Sequence, residues 1–290
     1  MKKLTWAMGI GIVFVSSGAA HGQCEPRWSD QFQSPYLEER IDSMIGYDPD
    51  GPGSNPARLV VGGQFEFGGG WNVGSPLNGI GLWDGAGWNA LGKGLLSNRD
   101  NYGYLQGQVL ALAVLDEDGD GPKQAYLYAA GYLSLPGTTE VNIARWDGQQ
   151  WEGMSRGELY GHPQWLAVVD EDGPGGAAPA LYAAGVALTV RPIGTPYYFY
   201  CGVVRFDGSH WEGLQGSDPY GISTIASLDD DGDGPHSAAL FVSTLVDSWP
   251  DPLRTEVIRW TGHGFEPVAP GPPVNPYRPI RCLSMFDEDG

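Results

Sequence analysis

The chain has 290 residues, with 45 glycines, 23 prolines, 16 basic and 35 acidic side chains, for a formal charge of −19. Because 41% of the residues are hydrophobic and 12% aromatic, the chain can bury a sizeable core, so the glycine and proline content does not make it disordered. So acidic a composition, without basic patches, excludes a protein that tracks nucleic-acid phosphates.

The first element in chain order is a leader. Lys2 and Lys3 precede an apolar run from Leu4 to Val15, and small residues follow. Ala20 and Gly22 stand where a signal peptidase needs small side chains, so residues 1–22 read as a signal peptide, with a cut after Ala20 as the alternative. The run is shorter than the ~20 apolar residues of a spanning helix, so no membrane span is expected after cleavage and the mature chain is expected to be secreted. Gln23 before Cys24 does not fit a lipobox. Cys24, Cys201 and Cys282 then enter an oxidising compartment, where one of three must remain unpaired; a Cys24–Cys282 bridge would join the ends of the mature chain.

After an N-terminal segment, 23–40, residues 41–290 are organised by repetition. An aromatic–Asp–Gly turn with a second aromatic five residues on occurs at Trp83/Trp88, Trp146/Trp151 and Phe206/Trp211, with a degenerate copy at Trp260/Phe265. Runs such as Ala111–Leu115, Leu166–Val169 and Ile225–Leu228 lead into the acidic turns at Asp116, Asp170 and Asp229; outlying copies lie at Asp48 and Asp287. Short runs follow the turns: Leu59–Gly63, Leu127–Gly131, Leu181–Gly185 and Leu240–Thr244. Runs of about five residues between Asp-Gly and Pro-Gly turns are the mark of antiparallel strands, and no stretch of the mature protein holds a helical period.

Four short strands per 40–60 residues predict an all-β fold of four-stranded antiparallel blades, a β-propeller with about four blades present. The Ala/Gly-rich run is expected to be the innermost strand, and the tryptophans to fill contacts between blades. Ile41–Tyr47 and Ile280–Phe286 are expected as first and last copies of the acidic-turn strand. That count predicts a fragment of a ring of five to seven blades, or two terminal strands sharing an outer position.

These residues resemble two propeller families. The order Leu127-Tyr-Ala-Ala-Gly131, Trp146-Asp-Gly148, Trp151 is similar to kelch repeats, with Gly62-Gly63 nearest to their glycine doublet. The turn Asp116-Glu-Asp-Gly-Asp-Gly121 resembles the FG-GAP loop of integrin-type propellers. The units are also similar to tandem repeats of exported planctomycete-type bacterial proteins. The resemblance speaks to the fold and says almost nothing of activity.

Two readings stand for the acidic loops. Asp116, Asp118 and Asp120, and likewise Asp229, Asp231 and Asp233, occupy alternate positions as Ca²⁺ ligands do. However, Gln124 and Ser237 stand where the FG-GAP pattern has Asp, and an Asp-x-Asp-Gly run is also an ordinary capped turn. Gly153-Met-Ser-Arg-Gly157 has the spelling of a nucleophile elbow but follows a repeat Trp rather than entering a helix. His162, His210, His236 and His263 lack metal-ligand spacing, and Arg145, Arg205 and Arg259 share one position suited to an ion pair or stacking on Trp. The repeat breaks at Ser97–Gln108, Thr189–Tyr200 and Asp247–Leu253, and these loops are rich in aromatic residues. The expectation is therefore an exported, non-catalytic binding or cell-surface scaffold module whose partner is a protein or polysaccharide. The alternative is a carbohydrate-binding or carbohydrate-active protein using the aromatic loops.

Overall fold

The structure is a computed structural model that describes residues 36–48, 56–68, 74, 76–96, 107–118, 124–135, 140–173, 178–192, 194–216, 221–230, 238–246, 254–273 and 280–284. The proposed leader and Cys24 lie outside them. Sixteen strands form four antiparallel four-stranded sheets, and no helix is present among the described residues. The first sheet holds β1 (Arg40–Tyr47), β2 (Arg58–Gln64), β3 (Ile80–Trp83) and β4 (Trp88–Ala90). The second holds β5 (Gln108–Leu115), β6 (Tyr126–Ser134), β7 (Glu140–Trp146) and β8 (Trp151–Gly153). The third holds β9 (Leu159–Val169), β10 (Ala180–Val190), β11 (Phe199–Phe206) and β12 (Trp211–Gly213). The fourth holds β13 (Ile222–Leu228), β14 (Ala239–Val246), β15 (Arg254–Trp260) and β16 (Phe265–Pro273).

In every sheet the strands lie side by side in chain order, so the strand running into the acidic turn is first and the Ala/Gly-rich strand second. This corrects the expected phase of the unit. The Ala/Gly run is hydrogen-bonded on both sides, and the sheet edge that meets its neighbours is the acidic-turn strand: β1 packs on β5, β5 on β9 and β9 on β13. The small side chains serve both faces instead of an axis. Ala129 lies in the core shared with the first sheet, and Ala130, one residue on and so on the opposite face, in the core shared with the third. Ala183 and Ala184 divide in the same way between the second and fourth sheets. Residues 280–284, in the expected final copy of the strand, are not in a strand.

Each first strand carries a register shift, between Ile41 and Ser43, Val109 and Ala111, Trp165 and Pro163, or Ile222 and Thr224. Gly63, Gly131 and Gly185 face these bulges, and a Cβ there would collide with the carbonyl oxygens of Arg40, Gln108 and His162. The closing glycine of the run is thus a steric requirement of the bulge. In the fourth sheet Thr244 stands opposite the shift, paired with Ile222. β16 contains four prolines and is the outer edge strand of its sheet, where missing N–H groups are tolerated.

Candidate functional site

The acidic turns and the aromatic–Asp–Gly turns lie at one end of the sheets, because both connect strands whose Tyr47/Arg58- and Leu59/Trp83-type partners are in register there. The aspartate of each aromatic turn caps it: Asp84 accepts from the amides of Ala86 and Gly87, Asp147 from Gln149 and Gln150, and Asp207 from Ser209 and His210. The next residue is glycine with φ of +95°, +94°, +92° and, in the degenerate copy, +87°. A hairpin turn needs that left-handed backbone. These bonds hold the carboxylates below their usual range: in Asp84 and Asp147 a backbone amide has the largest effect, and in Asp207 burial opposes but the amides prevail. The flanking aromatics pair across the hairpin with ring centroids 4.9–5.4 Å apart.

In the second and third sheets the second acid of the acidic turn points inward onto the shared arginine. Glu117 accepts from Arg145 at 2.7 and 2.9 Å and from the Tyr128 hydroxyl, and Arg145 reaches Glu152 at 2.6 Å. Glu171 accepts from Arg205 at 2.8 and 2.9 Å and from the Tyr182 hydroxyl. Burial, then the neighbouring glutamate, raises both tyrosine pKa values well above the ordinary range. Burial would raise the Glu171 pKa, but Arg205 and Tyr182 bring it down on balance. The ion pair expected of the arginines is therefore present, and the ring Arg145 covers is Tyr126, 4.4 Å away, rather than a tryptophan.

The other two sheets modify the set. In the fourth, Asp230 replaces the glutamate and Phe241 the tyrosine, and Arg259 holds Asp230 through one 3.1 Å bond. In the first, Val60 and Leu82 occupy the tyrosine and arginine positions, so the network becomes apolar.

The later tryptophans join one sheet to the next. The indole N–H of Trp151 donates to the Leu91 carbonyl at 2.9 Å, and that of Trp211 to the Met154 carbonyl at 2.8 Å. Sequence reasoning missed Glu158, a buried acid in the link between the second and third sheets. It accepts the Trp211 amide at 3.0 Å and faces His210 Nδ1 at 3.2 Å. No repeat position marks it, so only the packing identifies it.

Two adjoining grooves lie between the third and fourth sheets at the turn end. One, of about 390 Å³, is lined by Arg205, Glu212, Gln215, Trp260 and His263 among others. The second, of about 280 Å³, lies along Tyr182, Leu240, Arg259 and Trp260. At the opposite end Tyr197, Tyr198, Phe199 and Tyr200 are exposed, with Tyr160 edge-on to Tyr198 at 5.5 Å and Arg191 5.8 Å from the Tyr198 ring. Strands β10 and β11 take in Thr189, Val190, Phe199 and Tyr200 of the Thr189–Tyr200 segment, which thus forms the connection of a hairpin. Tyr102, Tyr104 and Trp249 lie outside the described residues.

Of the calcium candidates, Asp116, Asp118 and Asp229 are described, and Asp120, Asp231 and Asp233 lie outside the described residues. Asp116 Oδ1 accepts the Asp118 amide at 3.2 Å, the bond of a capped turn. No group of three or more His, Cys, Asp or Glu side chains poised for a metal occurs among the described residues. Ser155 lies between two strands, β8 and β9, not at a strand-to-helix turn, and its buried hydroxyl has no hydrogen-bond partner among the described residues. His162 stacks against Tyr132 at 4.3 Å, and His263 is exposed in its turn. Cys201 is buried, with its thiol pKa pushed up to about 11 by burial, and Cys282 is exposed; neither is in a disulfide among the described residues, and Cys24, of the expected Cys24–Cys282 bridge, lies outside them. Among the described residues no helix is long and apolar enough to cross a membrane. Compared with known protein families, curated proteins and solved structures, the chain matches none.

Proposed function

We propose that the chain is an exported, non-catalytic binding or cell-surface scaffold module whose four sheets stand as blades of a β-propeller. The observation that carries this reading is the closure of the repeated ionic groups on one another. Glu117 is engaged by Arg145 and Tyr128, and Glu171 by Arg205 and Tyr182, so the charges in the repeat brace strands. General acid–base work needs a titratable group aimed at a reacting atom, and these carboxylates are aimed at their own sheet. The blade arrangement is supported by the contact of each first strand with the next, from β1 through β5 and β9 to β13. The leader at residues 1–22 supports export.

A second reading, carbohydrate binding, has its own observation. Tyr197, Tyr198, Phe199 and Tyr200 present four consecutive exposed rings at the end opposite the turns, and such rings stack on sugars. Sedimentation of the mature chain with insoluble polysaccharides and with cell-envelope fractions tests both. Retention on the envelope that survives Y197A/Y198A/Y200A supports the scaffold reading. Polysaccharide retention lost in that variant, at an unchanged melting temperature, supports the second. No retention by either material, or hydrolysis of a polysaccharide, overturns the scaffold reading.

A further inference from the structure

The linkers that leave the second and third sheets differ at three of six positions, the last of them by a whole charged side chain, and the molecule itself shows what belongs in the space that results. Trp151-Glu-Gly-Met-Ser-Arg156 leaves the second sheet, and Trp211-Glu-Gly-Leu-Gln-Gly216 leaves the third. Arg156 crosses to the third sheet, where its guanidinium lies 5.6 Å from the Phe206 ring and donates to the Ser209 carbonyl at 3.1 Å. Phe206 is fully buried. At the next junction the corresponding ring is Trp260, the corresponding turn residue is His263, and the corresponding linker residue is Gly216, which has no side chain. Trp260 is only half-buried, and Trp260, His263, Gln215 and Glu212 line the 390 Å³ groove.

The acid beside the groove differs too. Glu152 pairs with Arg145 at 2.6 Å, whereas Arg205 directs both of its bonding nitrogens to Glu171. Glu212, the counterpart of Glu152, forms no ion pair with it and lines the groove.

We infer that the groove between the third and fourth sheets is a receptor for the arginine side chain of a partner polypeptide. The guanidinium lies on the Trp260 ring where Arg156 lies on Phe206. It donates to the Glu212 carboxylate and to the turn carbonyl of His263 as Arg156 donates to Ser209. Arginine suits the site better than lysine because a planar guanidinium stacks on an aromatic face while its in-plane N–H groups bond outward. A chain with a formal charge of −19 attracts such a cationic segment. This inference goes beyond the scaffold reading and stands on separate residues from the aromatic end.

The test is titration of the mature chain with the peptide acetyl-Gly-Arg-Gly-amide, followed by the indole N–H resonance of Trp260, assigned with W260F. Saturable shifts with a Kd of about 1 mM are expected, with none for the citrulline peptide, which has the same shape without the charge. E212Q is expected to weaken binding about tenfold. G216R supplies the missing guanidinium from within and is expected to abolish binding. The Gly216 φ of +85° lies beyond the +50° at which Arg156 stands, so this variant carries backbone strain, while the space around a Cβ there is open. If G216R fails to fold, E212Q decides the matter. The inference is overturned by the absence of saturable shifts in the natural chain, by equal binding of the citrulline or lysine peptide, or by a folded G216R that still binds.

Discussion

The second and fourth sheets are built from the same repeat, yet they hold their arginines differently. Arg145 and Glu117 are nearly enclosed, with side-chain exposures of 15% and 8%, and Tyr128 and Glu152 complete the set. Arg259 and Asp230 are about twice or more as exposed, at 30% and 31%, and share one bond. The fourth sheet shortens Glu to Asp and replaces Tyr by Phe; the third keeps Glu171 and Tyr182 yet leaves Arg205 and Glu171 25% and 39% exposed, so residue type alone does not decide the enclosure. The first sheet goes further, with Val60 and Leu82 in the same places. What the repeat preserves is therefore the strand scaffold, and the ionic network is one of several ways to fill the space between turn and sheet.

The largest effect is expected from breaking the enclosed pair. Arg145→Ala leaves the Glu117 carboxylate buried without its cation and should cost about 3–5 kcal/mol in urea denaturation. Arg259→Ala should cost ~1 kcal/mol or less, because its partner remains solvated. Equal losses in the two variants would erase the distinction between the sheets. Replacing the enclosed residues with their first-sheet counterparts Pro49, Val60 and Leu82, as E117P/Y128V/R145L, should be less damaging than Arg145→Ala alone, because no enclosed charge is left uncompensated and Glu152, at 53% exposure, stays solvated.

A smaller effect tests the junctions. Trp211→Phe removes the donor to the buried Met154 carbonyl and should cost about 1–3 kcal/mol by the same measurement. Phe265→Trp, which restores the repeat residue in the fourth sheet, should leave stability unchanged or raised.

The mildest test is pH. Tyr128 and Tyr182 have raised pKa values in the folded protein, so their stabilising contribution is complete below the unfolded value of about 10 and is lost as the pH rises beyond it. Phenolate absorbance should show these two tyrosines ionising only with alkaline unfolding, and Y128F/Y182F should flatten the alkaline limb of the stability curve. Asp147, Asp207 and Glu171 have the opposite sign: their pKa values are lowered by turn amides and Arg205, so their contribution is present above about pH 4 and lost as the pH falls. Asp147→Asn should soften the acid limb only slightly, since that turn is exposed. A steep alkaline loss in Y128F/Y182F, or none in the natural chain, would show that the enclosed networks do not govern the alkaline limb.

How much was legible in the sequence differs by layer. The strands were, because alternating apolar runs between Asp-Gly turns have the period of a half-buried strand whatever surrounds them. The pairing role of Arg145, Arg205 and Arg259 was legible too, since a cation repeated at one position in three units implies a partner repeated with it. Strand order within the sheet was not. Leu127–Gly131 reads as an inner strand from its small residues, but smallness is equally what a central strand needs when sheets pack on both of its faces. The grooves were hidden for a different reason. Glu212 and Trp260 are ordinary repeat residues in the sequence, and that they line one groove follows only from how the third and fourth sheets meet, with Gly216 at the position of Arg156.

By itself the sequence determined the all-β class, the repeat, the turns and the residues that cap them, because these follow from contacts within a few positions along the chain. Only the tertiary structure decided which acid meets which arginine, which strand forms the edge between sheets, and where the grooves lie. Those contacts join residues tens of positions apart, 28 for Arg145 with Glu117 and 53 for Arg156 with Ser209. Their outcome depends on side-chain length and enclosure, which a local pattern of apolar and polar residues does not encode.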